Sequence, residues 1–199
     1  MRKLIVTEFV TLDGVMEAPG GEPGHPHSGW VIPFVDPEYM QFKLEETLAA
    51  ESLLIGRVTY ESFAGAWPRR EGEFADKMNA MPKHVVSATL QNPEWSNTTV
   101  IGDDVAGAVS RLKAADGGPI LVAGSCTLVQ ALMRHGLVDE LRLMIFPVVL
   151  GGGRKLFAET PDKTVLRLAG MRAFATGVVL HTYERGEAPA SEDGKFCLS

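Results

Sequence analysis

Ile120-Leu121-Val122-Ala123-Gly124-Ser125-Cys126-Thr127 is the stretch on which the fold turns. Ile120 to Ala123 is an apolar run of strand length. Past Gly124-Ser125, the side chains of Leu128, Val129, Leu132 and Met133 recur at helical spacing until Gly136. A buried strand that turns straight into an amphipathic helix is the repeating half of a βαβ unit. The same grammar is written at Ser52-Leu53-Leu54-Ile55-Gly56-Arg57-Val58-Thr59-Tyr60. There Ser52 to Ile55 reads as a strand closed by Gly56, and Arg57 to Phe63 begins a short helix that breaks at Gly65 and Pro68.

Working outward, Leu4 to Val10 is a further strand, ended by the turn signal Asp13-Gly14. From Glu17 to Pro33 the chain is crowded with Pro, Gly and His and has no usable period, so it reads as a long loop of the functional kind. Asp36-Pro37-Glu38 opens a helix, with Asp36 as N-cap and Pro37 at the first helical position. Tyr39, Phe42, Leu44, Leu48 and Ala49 are its expected apolar stripe. Lys83 to Ser87 and Thr99 to Ile101 are short β-branched strands, of the kind buried on both faces. Asp103 or Asp104 caps a helix through Val105, Val109 and Leu112 to Ala115. Then the alternation stops. Glu140 to Val149, Val165 to Phe174 and Val178 to Glu184 read as three strands with little room for helices between them. The pattern predicts an α/β fold: a mixed, mostly parallel sheet, helices on both faces, and antiparallel strands at the C-terminal end. One domain over residues 1–185 is expected, with 186–199, polar and aperiodic, as a flexible tail.

Composition narrows the function classes. The 199 residues carry a formal net charge of −6 with scattered lysines and arginines, which gives nucleic acid no basic patch to follow. Only two cysteines occur, Cys126 and Cys197, so no disulfide framework is expected and a reducing cytoplasm fits. The opening apolar run turns polar at Thr7 and Glu8, unlike a signal peptide, and no stretch approaches the roughly 20 apolar residues of a membrane helix.

Chemistry concentrates at the two strand-to-helix junctions. A helix starting just beyond a strand end presents unpaired N–H groups and a positive dipole end, and glycine lets a phosphate come close to the backbone. Gly56 and the Gly124-Ser125-Cys126-Thr127 run are therefore candidate anion cradles, although either also reads as a tight turn. Arg57 adds a planar cationic fork and Thr59 a hydroxyl. Ser87, ending its strand, can reach a phosphate or merely cap the backbone. Neither a Gly-x-Gly-x-x-Gly fingerprint nor a P-loop is present. Asp13-Gly14 is a turn or a functional acid, and Asp36 is first of all a cap. Cys126 is a buried small hydrophobe or, at a helix start, a reactive thiol. Trp30, Phe34 and Trp67 line a flat pocket or pack the core. His25-Pro26-His27 near Glu22 reads as a solvated loop and Gly151-Gly152-Gly153 as a turn, so no metal is expected.

Several strings carry a resemblance to a known family. Thr11-Leu12-Asp13-Gly14, Gly56-Arg57-Val58-Thr59-Tyr60-Glu61 and Ala123-Gly124-Ser125 resemble dihydrofolate reductase-like proteins. Val138-Asp139-Glu140-Leu141 and Pro147-Val148-Val149-Leu150-Gly151-Gly152-Gly153, followed by Leu156-Phe157, look like the reductase domain of the bifunctional riboflavin-biosynthesis deaminase-reductase. The resemblance spans about residues 2 to 185 and implies the three-layer sandwich of that family. It also implies an NADPH-dependent reductase of a small heterocycle, pterin-like or pyrimidine-like, that forms a homodimer. On the resemblance, Arg57 and Ser87 hold the adenosine 2′-phosphate and Thr59 the pyrophosphate. Gly124, Ser125 and the adjoining Cys126 and Thr127 cradle the pyrophosphate from the other side, and Val10 and Thr11 lie against the nicotinamide. Asp13 is the first candidate for a catalytic group there, with Glu17 and Glu38 behind it. The competing reading is a nucleotide-binding protein that keeps the fold without catalysis. Flavin is disfavoured by Arg57, whose charge suits a 2′-phosphate.

Overall fold

Leu4–Thr11 (β1) is buried on both faces because it runs near the middle of the sheet, with strands on either side and helices above and below. The computed structural model describes residues 1–160 and 163–187, and shows an eight-stranded sheet flanked by five α-helices. After β1 the chain crosses a long loop containing a 3-10 turn at Ile32–Phe34, then forms α1 (Pro37–Ala49), β2 (Ser52–Gly56) and α2 (Arg57–Ala66). There follow α3 (Glu73–Ala80), β3 (Lys83–Val86), β4 (Thr98–Ile101), α4 (Val105–Ala114), β5 (Ile120–Val122) and α5 (Cys126–Arg134). The last three strands are β6 (Glu140–Phe146), β7 (Leu166–Ala173) and β8 (Val179–Arg185). Spatial order is β4-β3-β2-β5-β1-β6-β8-β7. The strands from β4 across to β6 are parallel, while β8 pairs antiparallel with both β6 and β7. This is the expected α/β three-layer sandwich.

Strand alternation divides the core. Leu4, Val6 and Val10 of β1 pack with Leu54, Ile120 and Val122 under Val109 of α4 and Leu128, Val129 and Leu132 of α5. On the other face Leu53, Ile55, Leu121 and Val85 meet Tyr60 of α2 and Met78 of α3. Beside them an aromatic cluster fills the space below α1, with Phe146 edge-on to Phe9, Trp30, Phe34 and Tyr39. Trp30 therefore belongs to the core, and the partly buried Phe34 packs against it. Trp67 is likewise packed on Phe63 and Phe74.

Several expectations are corrected by context. α2 continues through Gly65 to Ala66 and ends in a 3-10 turn at Trp67–Arg69, because helical glycine is tolerated where Pro68 is not. β4 is an edge strand and half exposed, not buried on both faces. The face that α1 buries is Tyr39, Glu46 and Thr47, while Leu48 and Ala49 point outward. The sheet beneath carries Thr7 and Arg142, and Glu46 bonds both, so charge matching overrides the apolar stripe. Asp36 caps α1 as expected, accepting from the Tyr39 N–H at 2.7 Å. Asp104, not Asp103, caps α4. The strand expected to reach Val149 stops at Phe146. Apart from Gly186 and Glu187, the expected tail lies outside the described residues, and so does Cys197.

Candidate functional site

The two glycine junctions, far apart in sequence, leave neighbouring parallel strands at the same edge and touch. The Gly56 N–H donates to the Gly124 carbonyl at 3.3 Å. A Cβ at Gly56 would collide with Ser125 Oγ, and one at Gly124 would lie 2.6 Å from Thr59 Oγ1. Gly124 also has a φ of +72°, a conformation that disfavours side chains, and the Gly124–Ser125 peptide bond is cis. Glycine at both positions is thus what allows α2 and α5 to begin side by side. Gly56 and Ser125 are the N-cap residues, and neither supplies a side-chain hydrogen bond to its own helix. Two helix N-termini with uncapped donors converge on one spot, which is the electrostatic setting of an anion site.

The residues around this cradle are those singled out from the sequence. Ser125 Oγ and Thr127 Oγ1 are 3.3 Å apart at the start of α5, and Thr59 faces them from α2. Arg57 is half exposed and bonded to Glu61 one turn on, at 2.7 Å. Because Gly56 pairs with Val86, Arg57 and Ser87 leave adjacent strands at one level. The Ser87 oxygen accepts from the N–H groups of Thr89 and Leu90, which leaves its proton free to donate. Cys126 is buried, donates to the Lys155 carbonyl, and burial pushes its thiol pKa up. It packs into the core, where burial disfavours the thiolate.

One strand further along, the end of β1 is tied to the glycine turn. Thr11 Oγ1 donates to Asp13 at 2.5 Å and accepts from the Val15 N–H. The Asp13 carboxylate also accepts from the N–H groups of Leu150 and Gly151. The Thr11 hydroxyl, helped by these amides, pulls Asp13 down to about 2. Gly151-Gly152-Gly153 is a turn, as expected, that sends the chain back so that Val15 bridges Lys155. This return sets Arg154 against Glu17, whose carboxylate accepts the Arg154 N–H at 2.9 Å, and sets His25 against the Gly152 carbonyl. Val10 turns its side chain into the core. Glu38 is not brought to this group. It pairs with Arg172 of β7, four strand spacings or ~19 Å along the sheet from β5.

Two residues escape a sequence reading. Arg154 reaches the site only through the glycine turn, about 140 residues downstream of Glu17 in a region with no periodic signal. Glu8 is the other. It points to the same face of β1 as Val6 and Val10, is buried, and accepts the Gly124 N–H at 2.6 Å. Burial raises its pKa to about 8, against the opposing pull of the Gly124 bond and of Lys43. A charged residue within Leu4-Ile5-Val6-Thr7-Glu8-Phe9-Val10 was the available signal. A concavity of about 310 Å³ at the opposite sheet edge, between Met133, Asp139, Val165 and Arg185, holds none of the expected residues. Among the described residues, no helix is long and apolar enough to cross a membrane, and no group of three or more His, Cys, Asp or Glu side chains is placed to hold a metal.

Residues 2–180 match the family described as the RibD C-terminal domain. The chain is 31% identical over 187 residues to the uncharacterized protein YyaP of Bacillus subtilis, covering 92% of this chain and 94% of that one. It is 29% identical over 183 residues to the uncharacterized protein YwjB of the same organism, covering 90% and 97%. Among solved structures, a putative riboflavin biosynthesis protein from Shewanella aligns with a TM-score of 0.69 at 20% identity, over 93% of this chain and 99% of that one. A pyrimidine reductase-like protein from Corynebacterium diphtheriae aligns with a TM-score of 0.67 at 12% identity, over 94% and 93%. Both likenesses bear out the fold.

Proposed function

The chain belongs to the RibD C-terminal domain family, and from that premise we propose that it is an NADPH-dependent reductase of a small heterocyclic substrate. The observation that carries this reading is the meeting of Gly56 and Gly124 at the ends of β2 and β5, so close that a Cβ on either would strike Ser125 or Thr59, which brings two helix N-termini side by side. Gly124, Ser125 and the N–H groups of Cys126 and Thr127 hold the pyrophosphate from one side and Thr59 holds it from the other. Arg57 and Ser87 take the 2′-phosphate. The Arg57–Glu61 pair is an exposed helix pair worth ~0.5 kcal/mol, which a dianionic phosphate readily displaces. The backbone of Val10 and Thr11 borders the nicotinamide. When bound, the cofactor supplies the hydride, and the protein supplies orientation and exclusion of water.

Asp13, ionised at neutral pH and held by Thr11, Leu150 and Gly151, fixes the β1 turn beside the nicotinamide and gives up no proton. Glu17, with Arg154 and His25, forms the polar wall on the substrate side. A pterin-like or pyrimidine-like ring, as in a riboflavin precursor, is the substrate class. It is supported by the family and by the names of the two structural neighbours. We place the activity in residues 1–185 of a cytoplasmic homodimer that binds neither nucleic acid nor membrane.

The test is thermal unfolding with NADPH, NADH or FMN, since a ligand that binds only the native state stabilises it by about 2.7 kcal/mol at a hundredfold excess over Kd. NADPH is expected to raise Tm most, and Arg57→Ala to remove its advantage over NADH. No rise with millimolar NADPH refutes the reading. A rise without turnover of any pterin or pyrimidine favours a binding protein.

A further inference from the structure

Gly124 is the hub of the cradle, and three contacts hold it. Its carbonyl accepts from Gly56, Thr59 occupies the space that a side chain on it would need, and its N–H donates to Glu8. The first two contacts come from the α2 side. Glu8 is the support from β1, one strand away on the other side of β5. Its carboxyl is buried behind the backbone on which, under the reading above, a pyrophosphate sits. The hydrogen bond from Gly124 can be accepted by a neutral carboxyl or by a carboxylate, so the proton state changes charge without removing the anchor.

Two charges act on Glu8 directly, and two more act on its neighbour Cys126. Lys43 and Glu46 of α1 act on it with opposite signs from across the sheet. Cys126 of α5 shares its surroundings, along with Glu17 of the loop and Arg154 of the return. None of them forms a direct ion pair with Glu8 among the described contacts. A carboxylate there adds a negative charge beneath an anion site in a region of low dielectric, where like charges repel strongly.

We propose that Glu8 is the positioning residue of the Gly124–Ser125 cradle, and that its proton gates the affinity of that cradle for the phosphates of a dinucleotide. This rests on the cofactor reading. With Glu8 neutral the cradle is held and uncharged. With Glu8 ionised the cradle is held but repels its ligand. Burial, which raises the pKa of Glu8 to about 8, puts the change just above neutrality.

NADPH affinity measured by calorimetry between pH 7 and 9.5 tests this, a range above the titration of a phosphomonoester at about 6. Wild-type Kd is expected to rise several-fold to tenfold across the range. Glu8→Gln keeps an oxygen acceptor and no charge, so its Kd should stay flat across the range. Glu8→Ala, without acceptor or charge, should bind about tenfold more weakly than Glu8→Gln at every pH. A second readout needs neither ligand nor variant: the Gly124 amide resonance of the free protein should titrate with a midpoint near 8. A flat wild-type Kd, an equal slope in Glu8→Gln, or a Gly124 amide that does not move overturns the proposal. Absence of NADPH binding at every pH overturns both the proposal and the cofactor reading. A titrating Gly124 amide would then show that the ligand, and not the placement of Glu8, was misjudged.

Discussion

Asp13 receives three hydrogen bonds, from the Thr11 hydroxyl and the Leu150 and Gly151 amides, and these join the end of the first strand to a turn near residue 150. A carboxylate held this way stabilises the fold only while ionised. Its folded pKa, about 2, lies below the ordinary 3.8, so the contribution is complete above pH 4 and is lost as pH falls toward 2. Asp13→Asn is therefore expected to lower Tm at pH 7, with the gap to wild type closing between pH 4 and pH 2. An Asp13→Asn variant that melts like wild type at pH 7 contradicts the clamp. Residues of this kind mark how far the sequence can be read. Gly56, Arg57, Gly124 and Ser125 are legible because a strand run, a glycine and a helix period surround each of them. That the two glycines interlock is not legible, since contact between Gly56 and Gly124 depends on β5 inserting next to β2. Glu8 and Arg154 are hidden for the same reason: their partners lie more than a hundred residues away.

At the level of elements, α3 is the helix that the hydrophobic pattern does not announce. Its eight residues bury only Ala75 and Met78, too little apolar surface to generate a period, and what holds it comes from outside. Lys83, fully buried at the start of β3, donates to the carbonyls of Met78, Asn79 and Met81 and lies 4.4 Å from the centre of the Trp95 ring. A cation at the carboxyl end of a helix answers the dipole and satisfies carbonyls that no further turn would satisfy. Burial pulls its pKa down to about 8, which still leaves it charged at pH 7. Lys83→Met fills the volume but strands the Met78 and Met81 carbonyls, while Asn79 keeps its bond from the Ser96 hydroxyl, so a loss of roughly 3 kcal/mol is expected in urea unfolding at pH 7. A loss under about 1 kcal/mol would mean that water replaces the ammonium there. The same lesson holds for α1: its apolar residues suggested one buried face, while Thr7 and Arg142 on the sheet select another that contains Glu46. Periodicity finds a helix when packing is apolar, and fails when ion pairs or caps orient it.

For the whole molecule, the two edges of the sheet differ. The β4 edge is four residues long, as protected edges usually are. The β7 edge is eight residues long and lacks proline, and it leaves Leu168 and Met171 respectively 50% and 67% exposed. Both residues lie on the face that also carries His181 and Tyr183, since Leu168 pairs with Tyr183 and Met171 with His181. Arg167 and Arg172, the charges that would normally guard such an edge, turn to the opposite face and are bound to Glu184 and Glu38. A long apolar edge without guards invites another strand, and the economical partner is a second copy related by a two-fold axis, with β7 antiparallel to β7. Light scattering is expected to give about twice the 21.5 kDa of one chain. Met171→Glu would place like charges close to the two-fold axis and should shift the protein to monomer without lowering NADPH affinity, because the cradle lies at β2 and β5, several strands away. A wild-type monomer at micromolar concentration rules out the pairing, and a Met171→Glu dimer places the contact elsewhere on the surface.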